Sequence, residues 1–211
     1  MRKIIVFAIF GMFAQLVVAQ DAVEQIRTHY KAVKARIDEM EKGSLDYPFP
    51  KYFEVKIKEN YPGTGPHEED VHIYQVVEDG YGEDVIFPPC RIDFVTVGYN
   101  FAVRNYYEEY LYDKKGNIEL IYAYNPWDED DMAWEYRFYL NNGKPFKTIV
   151  KKCPISDTYI NNDEYGKGTN FKEVYNGKGV PQEYKKVYQS YLNSASYYKK
   201  LHDAVYNTQH Y

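Results

Sequence analysis

Tyr106-Tyr107-Glu108-Glu109-Tyr110-Leu111-Tyr112, then Asp113-Lys114-Lys115-Gly116-Asn117, then Ile118-Glu119-Leu120-Ile121-Tyr122-Ala123-Tyr124, is the stretch that decides the fold. Two runs rich in Tyr and β-branched or aliphatic residues flank a short polar segment that ends in Gly, the signature of a β-hairpin. A three-residue loop Lys114-Lys115-Gly116 sets Asp113 opposite Asn117, Tyr112 opposite Ile118, Tyr110 opposite Leu120 and Glu108 opposite Tyr122. Side chains alternate along a strand, so this register gathers Tyr106, Tyr110, Tyr112, Ile118, Leu120, Tyr122 and Tyr124 on one face. A second hairpin follows the same rule around Asn141-Asn142-Gly143. It sets Leu140 opposite Lys144, Phe138 opposite Phe146, Tyr136 opposite Thr148 and Trp134 opposite Val150. Glu109, Glu119, Glu135 and Arg137, mixed with Leu111, Ile121 and Tyr139, fall on the other face, which reads as mostly wet.

Upstream, Phe53, Val55 and Ile57 alternate with charge, as do Val71, Ile73, Gln75 and Val77, with Pro62-Gly63-Thr64-Gly65-Pro66 turning the chain between them. A longer run, Ile86 to Val97, bends at Pro88-Pro89 and sets Ile92, Phe94 and Thr96 against Val95 and Val97. Two amphipathic helices bracket the strands. Ala22, Val23, Ile26, Tyr30, Val33, Ile37 and Met40 recur at three- and four-residue steps over Asp21–Lys42, with Asp21 as cap and Gly43 as stop. His29 lies at the edge of that stripe and reads as a surface residue. Pro181 opens the second helix, and Tyr184, Val187, Tyr188, Tyr191, Leu192, Ala195, Tyr198, Leu201 and Val205 carry it to about Asn207. Residues 153–178 read as a polar loop with a short helical turn near Phe171–Tyr175. The expectation is an α+β domain: an antiparallel meander of about seven strands with both helices packed on one face.

The chain starts with Arg2-Lys3, runs apolar from Ile4 to Val18 and reaches Val17-Val18-Ala19. A basic start, a short apolar run and a small-residue exit read as a secretory signal over 1–19, leaving one domain over 20–211 in the periplasm or outside the cell. No stable membrane insertion is expected once the signal is removed. Without Arg2 and Lys3, the 26 basic residues become 24 against 31 acidic ones, a formal charge of −7. That balance argues against nucleic acid and anionic lipid, because phosphate neutralisation needs clustered cations. Tyr accounts for 25 of 211 residues, which suits half-apolar, half-wet surfaces. Cys90 and Cys153, an even pair in an exported protein, predict a disulfide whose loop closure would contribute roughly 4 kcal/mol.

Asp21-Ala22-Val23-Glu24-Gln25-Ile26-Arg27, Tyr61-Pro62-Gly63-Thr64-Gly65-Pro66, Tyr107 through Asn117 and Tyr136 through Lys144 together resemble a group of exported proteins of Bacteroides-type bacteria. The likeness covers Asp21 to Lys151. It implies compartment and fold; it carries no reaction and no site residue.

Glu108 is the one candidate for catalysis. Placed between Tyr106 and Tyr110 on the Tyr-rich face, its carboxylate needs hydrogen bonds, from Tyr hydroxyls for instance, or else a bulge turns it outward. Asp128, Asp130 and Asp131 offer clustered oxygens of the kind Ca²⁺ takes, without the glycine and distal Glu of an EF-hand loop. His67 and His72, five residues apart, match neither helical nor strand spacing for zinc. No cofactor motif is present. Trp127, with Tyr107 and Tyr139 on the wet face, offers aromatic surface for a sugar ring or a protein partner. These residues suggest a non-catalytic exported module that binds a protein or glycan of the cell envelope. The alternatives are a secreted hydrolase using Glu108 as acid and a structural envelope component.

Overall fold

A computed structural model describes residues 2–43, 51–78, 80, 89–126, 132–154 and 172–209, with side chains of the first helix described from Asp21 onward. Helix α1 spans Arg2–Glu41 and α2 spans Lys185–Gln209, the latter entered through a single 3₁₀ turn at Gln182–Tyr184. Between them stand β1 (Lys51–Tyr61), β2 (Gly65–Val77), β3 (Cys90–Phe101), β4 (Arg104–Tyr112), β5 (Ile118–Asn125), β6 (Met132–Asn141), β7 (Lys144–Pro154) and β8 (Lys172–Gly177). They form one eight-stranded sheet in simple sequence order, every neighbouring pair antiparallel. The protein is α+β as expected, with one more strand than about seven. The extra one is β8: of the segment read as a helical turn near Phe171–Tyr175, the described part from Lys172 onward pairs with β7 instead. Strand pairing along an existing edge outweighs the weak local preference of a short segment. Among the described residues, no helix is long and apolar enough to cross a membrane.

The helices do not share a face. Tyr188, Tyr191, Ala195 and Tyr198 of α2 pack on Val71, Ile73, Val95, Val97, Tyr110, Tyr112, Ile121, Phe138 and Val150. Val23, Ile26, Val33 and Ile37 of α1 pack on Tyr74, Phe94, Leu111, Leu120, Tyr139 and Ile149. The sheet is therefore the middle of three layers. The face read as wet is roofed by α1, leaving Glu109, Glu135 and Arg137 no more than 5% exposed.

Register explains why both faces are apolar enough to bury. The first hairpin keeps its three-residue loop: the Asp113 N–H donates to the Asn117 carbonyl at 2.8 Å, and the Asp113 carboxylate accepts from the Lys115 and Asn117 amides. Tyr112 lies opposite Ile118, as read, but Leu111 then faces Leu120, so Glu119 is the extra residue of a β-bulge. The bulge sends Leu120, Tyr122 and Tyr124 to the α1 face and leaves Ile121 and Ala123 with α2. Glu108 accordingly pairs with Ala123, not Tyr122. Asp93 is a second such residue, between the pairs Tyr74–Phe94 and Gln75–Ile92, so Ile92 joins Val95 and Val97 rather than opposing them. Phe146 is a third. The second hairpin turns on two residues, not three: Asn141 pairs with Lys144, and Asn142 and Gly143 have φ of +49° and +72°, the positive pair that a type I′ turn requires.

The expected Cys90–Cys153 bridge has no short path. Cys90 starts β3 and Cys153 lies on β7, with β4, β5 and β6 between them. At strand spacing that is roughly 19 Å along the sheet, against the 4–7 Å between Cα atoms that a disulfide spans.

Candidate functional site

Three constellations emerge. The first is Glu108, which is 5% exposed beneath α2. Tyr99 donates to its Oε1 at 3.0 Å and Tyr110 to its Oε2. These are the tyrosine hydroxyls that a carboxylate on this face needs, and no bulge turns it out. Burial raises its pKa, the two hydroxyls oppose that rise, and the charge of Glu69 adds to it. Glu69 itself accepts from the Tyr198 hydroxyl at 3.2 Å. An acid held toward its neutral form is chemically suited to donating a proton, yet both oxygens are occupied and α2 lies over them.

The second lies under α1 and was invisible as a motif. The two bulge residues Asp93 and Glu119 converge on His29, with Nε2 3.4 Å from Asp93 and Nδ1 2.5 Å from Glu119. Arg36 reaches the other Asp93 oxygen at 2.6 Å, and Arg91 stands 3.0 Å from the first. Burial lowers the His29 pKa, but hydrogen bonds and charge from Asp93 and Glu119 outweigh it and push it up to about 9. The same partners hold the Asp93 carboxyl below its usual range despite burial. With both ring nitrogens committed, His29 is a clamped imidazolium, not a general base. A pocket of about 320 Å³ opens beside it, lined also by Arg91, Lys115, Glu119 and Asn142. Further along the same face Glu135 and Arg137 form a buried ion pair, and the guanidinium lies 4.9 Å from the Tyr122 ring centroid.

The third is an open groove of about 450 Å³ at the opposite end of the strands. Pro66, Glu68 and Asp70 of β2, Gly98 and Asn100 of β3, the Ala102-Val103 turn and Asn105 of β4 line it. Its floor is Gly98, which pairs with Asp70 on one side and Tyr107 on the other, and a Cβ added there would meet no atom within 4 Å. One wall is rigid by construction. The Asn100 side chain accepts from the Glu68 amide at 2.6 Å and donates to the Pro66 carbonyl at 2.9 Å, extending the ladder where the paired backbone ends. Val103 at the rim is 95% exposed, and Ala102 is held at a φ of +54°, a left-handed conformation that disfavours a side chain.

The aromatic pair expected to be presented to a ligand is not on the surface. Tyr139 is fully buried under α1, and Tyr107 is 8% exposed with its hydroxyl donating to Glu109 at 2.9 Å. The α1 stripe covers Tyr139, and Tyr107 packs among Tyr122, Tyr124 and Ala133. Trp127, Asp128, Asp130 and Asp131 lie outside the described residues, as does the Cys153 side chain. His67 and His72 fall on opposite faces, His67 bonded to the Asn100 carbonyl and His72 beside Glu54. Among the described residues, no group of three or more His, Cys, Asp or Glu is set to hold a metal. The His29 clamp was missed because its two carboxylates come from bulges. The groove was missed because its key residue is a glycine inside a strand, a known sign of close approach or an opening.

Compared with known proteins, the chain matches no family model, no curated protein and no solved structure.

Proposed function

We propose that this is an exported binding module that recognises a glycan or protein of the cell envelope, and that the groove over Gly98 is where it does so. One observation supports the reading most. A glycine in mid-strand leaves an open floor between a carboxylate row, Glu68 and Asp70, and the Asn105 amide, with apolar Val103 standing at the rim. Carboxylates and an amide suit the paired hydroxyls of a sugar, and a projecting apolar side chain suits the C–H face of its ring. Glu68 and Asp70 are held by Lys58 at 3.0 Å and Lys56 at 3.3 Å, so their oxygens are positioned without being buried. The basic start, apolar run and small-residue exit over 1–19 support export to the periplasm or beyond, and the excess of acidic residues argues against a nucleic-acid partner.

Gly98→Val tests it. The Cβ it adds meets no atom within 4 Å and the backbone there needs no positive φ, so the variant is expected to melt as the parent does while losing retention on immobilised envelope polysaccharide and envelope protein fractions. Equal retention by Gly98→Val, or no retention by the parent on either fraction, would sink the reading. A second reading, a hydrolase with Glu108 as acid, draws on the raised pKa of that group. Glu108→Gln would then abolish turnover of a chromogenic glycoside while leaving its binding intact.

A further inference from the structure

Strand β1 is at the end of the sheet order, eleven residues long, and among the described residues it has a strand partner on one side only. Such an edge offers unpaired N–H and C=O groups to another chain, and natural edges are usually guarded by lysines or irregularity. Here the pairing with β2 is regular over its whole length. Phe53, Val55 and Ile57 are half-buried on the α2 face, whereas Glu54, Lys56 and Lys58 are exposed on the α1 face.

From this pattern we infer that β1 pairs antiparallel with β1 of a second copy, in a register centred on Val55. A two-fold axis normal to the sheet is what relates two identical antiparallel edges. It sets each residue opposite one of the same face, so the axis must lie midway between one residue of β1 and that residue's own copy. Centred on Val55, it brings Glu54 opposite Lys56 twice, Phe53 opposite Ile57 twice, and Val55 opposite itself. Moving the axis to Glu54 or Lys56 stacks like charges at the centre, and the Lys56 register also sets Phe53 against Glu59. Of these three registers, the one centred on Val55 sets Lys56 against Glu54 twice with no like charges at the centre, and it continues the apolar row already packed under α2. The result is a continuous sixteen-stranded sheet. The Gly98 groove of each copy remains open, and both grooves lie on the same face, where a linear or repeating ligand would engage them together.

The inference stands independently of what the grooves bind, and charge swapping tests it. Glu54→Lys and Lys56→Glu each place two like-charge pairs across the axis, and each is expected to raise the dimer dissociation constant at least tenfold in sedimentation equilibrium of the full chain in mild detergent. The double variant Glu54→Lys/Lys56→Glu exchanges the two charges and is expected to recover the dimer. Their intrachain neighbours, His72 and Asp70, are exposed or half-exposed, so circular dichroism and melting confirm that each variant is folded. Val55→Cys gives an independent reading: a disulfide-linked dimer forms on mild oxidation, because facing Cα atoms across a strand pair are about 4.5–5.5 Å apart. A parent that stays monomeric at near-millimolar concentration, a dimer indifferent to Glu54→Lys, or a double variant that fails to recover would each overturn the inference.

Discussion

The two faces of one sheet solve burial in different ways. Beneath α2 the layer is apolar and aromatic: Tyr110, Tyr112, Phe138 and Ile121 are essentially inaccessible, and ring stacks such as Tyr136–Phe138 at 6.0 Å run across it. Its buried charge, Glu108, is held by neutral hydroxyls. Beneath α1 the layer is laced with full charges, among them Asp93, Glu109, Glu135 and Arg137, matched by His29, Lys34 and Arg36 from the helix. Hydroxyls satisfy a carboxylate without adding charge, so they leave its pKa raised by burial. Cations satisfy it by Coulomb attraction, which lowers it, as Asp93 shows. The contrast also bears on specificity: an apolar layer accepts many registers, whereas one that pairs His29 with two named carboxylates accepts few.

The largest effect expected from breaking that contrast comes from Arg137→Met. It removes the cation that faces the buried Glu135 carboxyl and should destabilise by about 3–5 kcal/mol in urea unfolding, whereas Glu135→Leu/Arg137→Met should recover most of the loss. If the single variant unfolds no earlier than the parent, the α1 layer is not as dry as its burial implies.

Next in size is a pH effect. The His29 pKa is raised from 6.5 to about 9, so the folded state holds a proton that the unfolded state releases between those values. Its stabilising contribution, up to roughly 3 kcal/mol, is full below pH 6.5 and is lost as pH rises through 9. His29→Gln should flatten that decline in urea midpoints measured from pH 6 to 10.

The acid limb should separate the two faces by sign. The lowered pKa of Asp93 gives stability that is lost as pH falls through its folded value, below the ordinary carboxylate range. The raised pKa of Glu108 acts oppositely: its contribution is greatest below the unfolded value and declines as pH rises through the folded one. Asp93→Asn should remove the first slope and Glu108→Gln the second. Tyr110→Phe should cost about 1.5–3 kcal/mol and raise the Glu108 pKa further, because it deletes a hydrogen bond to a buried charge.

Smallest is Ala102→Gly, which relieves a positive φ and should stabilise by about 1 kcal/mol, seen as a melting point a few degrees higher.

Much of this was legible from local chemistry. The helical stripes of Val23–Ile37 and Tyr188–Tyr198, the hairpin signals at Gly116 and Gly143, and the placement of Glu108 among tyrosines follow from residue spacing alone. What spacing could not supply was how the ladders slip. Asp93, Glu119 and Phe146 each add one residue to one strand, and each addition flips the alternation beyond it. Two of the three are the carboxylates that clamp His29, so the site was hidden by the same irregularity that shifted the register.

By itself the sequence determined the two helices and the antiparallel meander of strands between them, though not β8, because period and turn chemistry act over a few residues. It also determined that the sheet carries one apolar face. Only the tertiary structure decided that the second face is covered as well, that α1 and α2 lie on opposite sides, and that Tyr107 and Tyr139 are buried rather than offered to a ligand. A charged strand face reads as wet unless a helix supplies the opposite charges. That match depends on residues 57 to 90 positions apart, such as Arg36 with Asp93 and His29 with Glu119, which no local pattern records.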